Sequence, residues 1–262
     1  MPEIHVRKKK KNKNPIASFF SAFVPGKAKR KMKREEAIVV TNEINAINEC
    51  YNTLKTNLLY LSDENLKVIQ VESSISGEGK TTLGCNLAVS MSFNDKKVLV
   101  VDLDFRKPRI NRLFNVLNEN GLVDYMSEKI SLDQLIKKSS YKNVDVITRG
   151  SAIYNPSMLL TSKKFFDLMA QLRGMYDFII LDAPPILQIA EYTHISKVSD
   201  GVLFVVCYGK TKRSQIMESA DLLKKNNINV IGSVMTFVDN KDPYSYYYGS
   251  YKSRYGYDQV EE

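Results

Sequence analysis

The sequence predicts an α/β fold, a mostly parallel sheet with helices on both faces. Two patterns predict it: short apolar, β-branched runs that read as buried strands, and helix-length segments that separate them. Length and composition agree, because 262 residues with 44% apolar content suffice for one large core. Taken in order, Ile44, Ile47, Tyr51, Leu54, Leu58 and Leu61 recur at spacings of three and four, an amphipathic helix with Thr41 or Asn42 as its N-cap. The strand KVIQVE (67–72) follows, then a Gly-containing loop, a helix from Lys80 to about Phe93, and the strand KKVLVVDLD (96–104). After them come VDVIT (144–148), a helix near 162–174, YDFIILD (176–182), GVLFVVC (201–207), a helix near 214–226 and NVIGSVM (229–235). Residues 105–143 carry no pattern that assigns their elements. No internal repeat is visible. The domain reading is an extension at 1–40, one nucleotide-binding domain at 41–240 and a tail at 241–262.

The formal charge of +9 is concentrated at one end. Residues 1–34 hold twelve Lys or Arg against one Glu, leaving 26 basic and 28 acidic residues in the rest. Such a run is read as a solvated, disordered segment, as an anchor to anionic lipid headgroups at about 1 kcal/mol per basic residue, or as a nucleic-acid contact. Phe19, Phe20 and Phe23 between the two basic clusters favour the membrane surface, and no nucleic-acid partner is expected. No window approaches the roughly 18 to 20 apolar residues of a membrane span, and the N-terminus lacks a secretory signal, so the chain is expected to be cytoplasmic. Cys50, Cys85 and Cys207 are odd in number and widely spaced, and are read as reduced apolar filler without a structural metal.

Three motifs carry chemistry. VESSISGEGKTT follows a strand and opens a helix, the setting that a phosphate loop requires. Its candidate nucleotide-binding residues are Ser76, Gly77, Glu78, Gly79, Lys80, Thr81 and Thr82. Small residues let backbone amides approach phosphates, Lys80 can reach the β/γ-phosphates, and the Thr81 hydroxyl can ligate Mg²⁺. The first glycine of the usual pattern is Ser74 here. Second, VLVVDLDFRKPR sets Asp102 and Asp104 two apart at the carboxyl end of a strand, projecting to one side. One carboxylate suits Mg²⁺ and the other can accept a proton, with Arg106, Lys107 and Arg109 balancing charge. Third, YDFIILDAPP ends a hydrophobic strand in Asp182, the build of a Walker B carboxylate that orients the metal. The expected catalytic residues are Lys80, Asp102 and Asp104, the expected metal ligands Thr81, Asp102 and Asp182, and the cofactors ATP and Mg²⁺.

A fourth feature is compositional: seven of the last nineteen residues are tyrosine, namely Tyr244, Tyr246, Tyr247, Tyr248, Tyr251, Tyr255 and Tyr257. They are read either as a stacking segment or as phosphate acceptors, the glycines and serines among them keeping the tail flexible enough to enter an active site.

The phosphate loop, the DLDFR element, the LDAPP strand end, the preceding helix and the tyrosine tail together resemble the bacterial tyrosine kinases of the P-loop type. More narrowly they are similar to the stand-alone cytoplasmic kinase subunits of capsule and exopolysaccharide systems. The resemblance spans roughly residues 40–262. It implies ATP-dependent phosphorylation of the tail tyrosines between subunits of a ring, and a membrane-embedded activator, a polysaccharide co-polymerase subunit, that holds the kinase at the inner face of the membrane. Departures are Ser76 in place of the family's loop proline, and Glu49, Asn52 and Lys55 where the family has E-x-x-R-x-x-R for subunit contact. Asn52 and Lys55 lack the planar fork of arginine, which weakens a bidentate pair between subunits. The rivals are a positioning or partition-type ATPase, whose loop would carry lysine where this chain has Ile75, and a non-catalytic nucleotide-binding scaffold.

Overall fold

The computed structural model describes residues 38, 40, 46–61, 66–93 and 95–238. The basic segment 1–34, the caps Thr41 and Asn42, Ile44 and the seven tail tyrosines lie outside the described residues. Seven strands form one sheet in the order β3-β4-β2-β5-β1-β6-β7. They are β1 (Val68–Ser73), β2 (Val98–Asp102), β3 (Lys137–Lys138), β4 (Val144–Ile147), β5 (Phe178–Asp182), β6 (Gly201–Cys207) and β7 (Val230–Thr236). All neighbours pair in parallel except β3, a two-lysine antiparallel edge on β4. Charge on so short an edge discourages pairing with another chain.

The central strands are largely apolar because alternate side chains are buried on opposite faces of the sheet. On β1, Ile69 and Val71 face one side, where α1 (Ala46–Leu61) and α2 (Lys80–Ser92) cover them with Leu58, Leu83, Leu87 and Met91. Val68, Leu99, Val101, Ile179 and Leu181 face the other, against Phe165, Leu168 and Leu172 of α7 (Lys163–Met175). Val202, Phe204 and Val206 of β6 pack on Ile216, Ala220 and Leu223 of α9 (Arg213–Lys225). Helix α2 sits close to the sheet at Gly84, where a Cβ would come within 3.3 Å of Ile180.

Each strand or helix assigned from the sequence is present, with ends that differ by at most two residues, apart from the start of α1, which lies outside the described residues. Helix α1 differs in its face. Tyr51, Leu54 and Leu58 pack inward, but Ile47 is 49% exposed and Asn48 takes the buried position before them. Residues 105–143 hold α3 (Ile110–Leu113), α4 (Leu122–Met126), α5 (Leu132–Leu135) and β3, each too short to show a period. Two further single turns, α6 (Pro156–Leu160) and α8 (Tyr192–Ile195), lie between assigned elements. Cys85 and Cys207 are buried as expected of apolar filler, whereas Cys50 is exposed on α1.

Candidate active site

The order β2-β5-β1 brings the three motifs together. Asp102 is in register with Asp182, and Asp182 with Val71, so the two carboxylates and the loop after β1 share one edge of the sheet. Parallel strands all end there, the usual location of a ligand site in such sheets.

The phosphate loop runs from Ser74 into α2. Gly77 and Gly79 have φ of 76° and 86°, a region that side chains disfavour, and a Cβ on Gly79 would meet Phe237 at 3.1 Å. Gly79 caps α2, accepting the Leu83 amide at 2.8 Å. Ser74, in the place of a glycine, is fully buried; its hydroxyl donates to the Gln215 carbonyl at 3.3 Å and accepts from Ser219 at 2.9 Å. A hydroxyl fits because α9 supplies its partners. Ser76 and Thr82 are half-buried and Gly77 is exposed at the crest.

Lys80 emerges beneath the loop, 7% exposed, and donates to Asp182 Oδ1 at 2.9 Å, with Asp104 Oδ2 at 4.0 Å. Thr81 Oγ1 donates to the other oxygen of Asp182 at 2.7 Å. Burial works against the Lys80 ammonium, but the Asp182 and Asp104 charges outweigh it and hold its pKa above the ordinary lysine value. Burial raises Asp182, opposed by Lys80 and Thr81.

Asp102 and Asp104 have different surroundings. Asp102 is fully buried; Oδ2 accepts the amides of Arg109 and Ile110 at 3.0 and 3.1 Å, and Oδ1 lies 3.3 Å from the Asp104 amide. Burial, and then the charge of Asp182, push its pKa up to about 8. Asp104 holds the Lys107 amide with Oδ1 at 3.0 Å and directs Oδ2 toward Lys80. The following residues are braced from outside: Arg106 pairs with buried Glu191 at 2.7 Å, and Arg149 donates to the Phe105 carbonyl at 3.1 Å. Lys107 and Arg109 thus contribute backbone amides to the two carboxylates.

The oxygen donors suit Mg²⁺, a hard ion held by few protein ligands and completed by phosphates and water. Thr81, Asp182 and Asp104 converge within reach of one ammonium and supply only oxygen. Asp102 contributes more to loop structure, since both of its oxygens already face backbone amides.

Of the predicted contact residues, Glu49 is exposed. Asn52 Oδ1 accepts from Ser90 at 3.4 Å, and the Lys55 ammonium donates to the Ser90 carbonyl at 3.3 Å and lies 5.9 Å from the Phe93 ring centre. Both therefore engage α2 of their own chain.

Glu78, a candidate nucleotide-binding residue, has a buried side chain: Oε2 accepts the Ile75 amide at 2.8 Å and Oε1 accepts the Thr211 hydroxyl. Thr211 and several other residues of the site have no counterpart among the sequence-predicted ones. Lys210 and Thr236 bond to the loop backbone, and Glu191 steadies Arg106. Glu72, also buried, has Gln70 on one oxygen at 2.7 Å and, among the described residues, no hydrogen-bond partner on the other. The G-K-T triplet after β6 (Gly209–Thr211) was the one available signal, because it is polar sequence at the active edge of the sheet.

Comparison with known proteins gives a consistent pattern. The AAA domain family matches residues 66–234. Tyrosine-protein kinase YwqD of Bacillus subtilis is 33% identical over 222 residues, covering 83% of this chain and 94% of that protein. Putative tyrosine-protein kinase CapB of Staphylococcus aureus is 30% identical, with 85% and 99% covered. The kinase domain of the Escherichia coli tyrosine kinase ETK superposes with a TM-score of 0.74 at 26% identity, covering 82% of this chain and 84% of that one. This chain spans 29% of the full-length Escherichia coli kinase etk. The MinD cell-division ATPase of Pyrococcus furiosus, at 24% identity and a TM-score of 0.55, shares the fold.

Proposed function

The chain belongs to the bacterial tyrosine-protein kinases, and from that premise we propose that it transfers the γ-phosphate of ATP to Tyr244, Tyr246, Tyr247, Tyr248, Tyr251, Tyr255 and Tyr257 of a neighbouring copy. The convergence of Lys80, Thr81, Asp104 and Asp182 at one sheet edge carries this reading. Gly77 to Thr82 bind the phosphates through backbone amides, and Lys80 exchanges its contact with Asp182 for the β/γ-phosphates. Thr81 and Asp182 would hold Mg²⁺, which would supply neutralisation of the charge on the phosphate oxygens. The tyrosine oxygen forms a bond to the γ-phosphorus as the bond to ADP breaks, and Asp104 takes the phenol proton. Asp104 is preferred over Asp102 as this base because the oxygens of Asp102 already face amides. With a phenol pKa near 10, orientation of the acceptor contributes more than its prior ionisation.

Phosphorylation adds about −1.5 to −2 charges per tyrosine and would make the tail acidic, weakening association between copies. Self-association as a ring, a membrane-embedded co-polymerase partner and control of polysaccharide chain length complete the proposal. Support for the partner is the resemblance described above to kinase subunits of capsule and exopolysaccharide systems. Residues 1–34 add an anchor to anionic lipid, and deleting them should lower binding to anionic vesicles.

The test is to incubate the protein with ATP and Mg²⁺, with and without the cytoplasmic segment of the membrane partner, and map phosphate by mass spectrometry. Phosphotyrosine between Tyr244 and Tyr257 is expected. Its absence under both conditions overturns the autokinase reading, and steady ATP hydrolysis without labelling would favour a partition-type ATPase.

A further inference from the structure

Three consecutive carbonyls of the phosphate loop are held from one side. The Lys210 ammonium donates to the carbonyls of Ser76 and Gly77 at 2.6 and 2.7 Å, and the Thr236 hydroxyl donates to that of Glu78 at 2.7 Å. The Glu78 side chain adds a fourth tie, accepting from Thr211 on the same turn as Lys210. All three donors come from the carboxyl ends of β6 and β7, not from the strands that bear the recognised motifs.

In a planar trans peptide the N–H points opposite to the C=O. Fixing the carbonyls of residues 76, 77 and 78 toward β6 and β7 therefore turns the amides of Gly77, Glu78 and Gly79 the other way, toward the side on which Lys80 lies. Successive amides aimed into one concavity form an anion nest. Each of these three peptides adjoins a glycine at positive φ, so the loop backbone is intrinsically permissive and needs outside contacts to hold one orientation.

We propose that Lys210 and Thr236 are positioning residues for nucleotide binding, which act by orienting the phosphate-loop amides toward the phosphates of a nucleoside di- or triphosphate. Resting on the kinase reading above, this adds a determinant of nucleotide affinity on β6 and β7. Lys210 also places a positive charge behind the loop, where it deepens the potential felt by a phosphate.

The experiment is titration of the full chain with mant-ADP and Mg²⁺, well below the melting temperature, for the parent, Lys210→Met and Thr236→Val. Melting temperatures without nucleotide are recorded alongside. Lys210→Met is expected to raise Kd roughly tenfold and Thr236→Val several-fold, in line with loss of charged and neutral hydrogen bonds. A purely structural role would lower the melting temperature and leave Kd unchanged. The inference is overturned if the parent binds and both variants stay within twofold of it, or if only one of them weakens binding. If Lys210→Met does not fold, the near-isosteric Thr236→Val decides by the same twofold criterion. Failure of the parent itself to bind mant-ADP would instead reject the kinase reading.

Discussion

Two lysine–aspartate pairs, at opposite ends of the sheet, have the same length and different surroundings. Lys80–Asp182 and Lys142–Asp95 both measure 2.9 Å, but the first has side chains 7% and 3% exposed and the second 83% and 83%. The buried pair sits among Asp102, Asp104 and Glu72, where water screens charge poorly and the Asp182 charge adds to burial in raising the pKa of both Asp102 and Glu72. The exposed pair is screened on all sides, and holding two long side chains together there costs about what it returns. Equal distance therefore says little about consequence. Position on the carboxyl edge, with loops to fold over the pair, makes the difference.

The comparison can be broken most severely at Lys80. Lys80→Met should abolish tail labelling, a loss of more than about 100-fold in phosphotyrosine formed at saturating ATP; retained labelling would reduce the buried pair to a structural one. Next in size, Asp104→Asn should lower kcat roughly 10²- to 10⁴-fold as loss of a general base, with mant-ADP affinity changed far less. Asp102→Ala should act mainly on stability, because it removes an acceptor shared by the buried Ile110 amide, at about 1–3 kcal/mol, and the part-buried Arg109 amide. A drop in melting temperature checks that assignment.

Smaller and pH-dependent is Glu72. Burial lifts its pKa from 4.5 to about 8, opposed by Gln70 and Lys80 and assisted by Asp182. The folded chain thus favours the protonated carboxyl, so this contribution is full below the unfolded pKa and lost as pH rises through about 8. Relative to the parent, Glu72→Gln should gain in melting temperature between about pH 5 and 8; parallel curves would refute the shift. The smallest effect belongs to the exposed pair: Lys142→Ala and Asp95→Asn should leave both melting temperature and labelling unchanged within error.

The sequence made most of the sheet legible because its central strands are buried on both faces and read as short apolar runs rich in Val and Ile. Lys80, Thr81, Asp104 and Asp182 were legible because each lies at a strand end or helix start, where chain order implies place. Ile47 was misread because hydrophobic spacing alone does not say where a helix face ends, and Asn48 found a buried position the pattern could not show. Residues 105–143 were opaque for a related reason: turns of four or five residues complete barely one period. Lys210 and Thr236 escaped because their partners are backbone carbonyls more than 130 residues away in sequence, and Thr211 because its partner, the Glu78 carboxylate, is equally distant. Side chains that serve a distant main chain leave no motif.

The hydroxyl of Thr236 on the Glu78 carbonyl also fixes the point from which acceptor distance is counted. Tyr244 lies six residues beyond Val238, the last described residue, and Tyr257 nineteen. Chain geometry caps those separations at roughly 20 Å and roughly 65 Å. Under the proposed transfer between copies, a neighbour's nucleotide site would have to come within roughly 20 Å of Val238 to serve Tyr244, but only within roughly 65 Å to serve Tyr257.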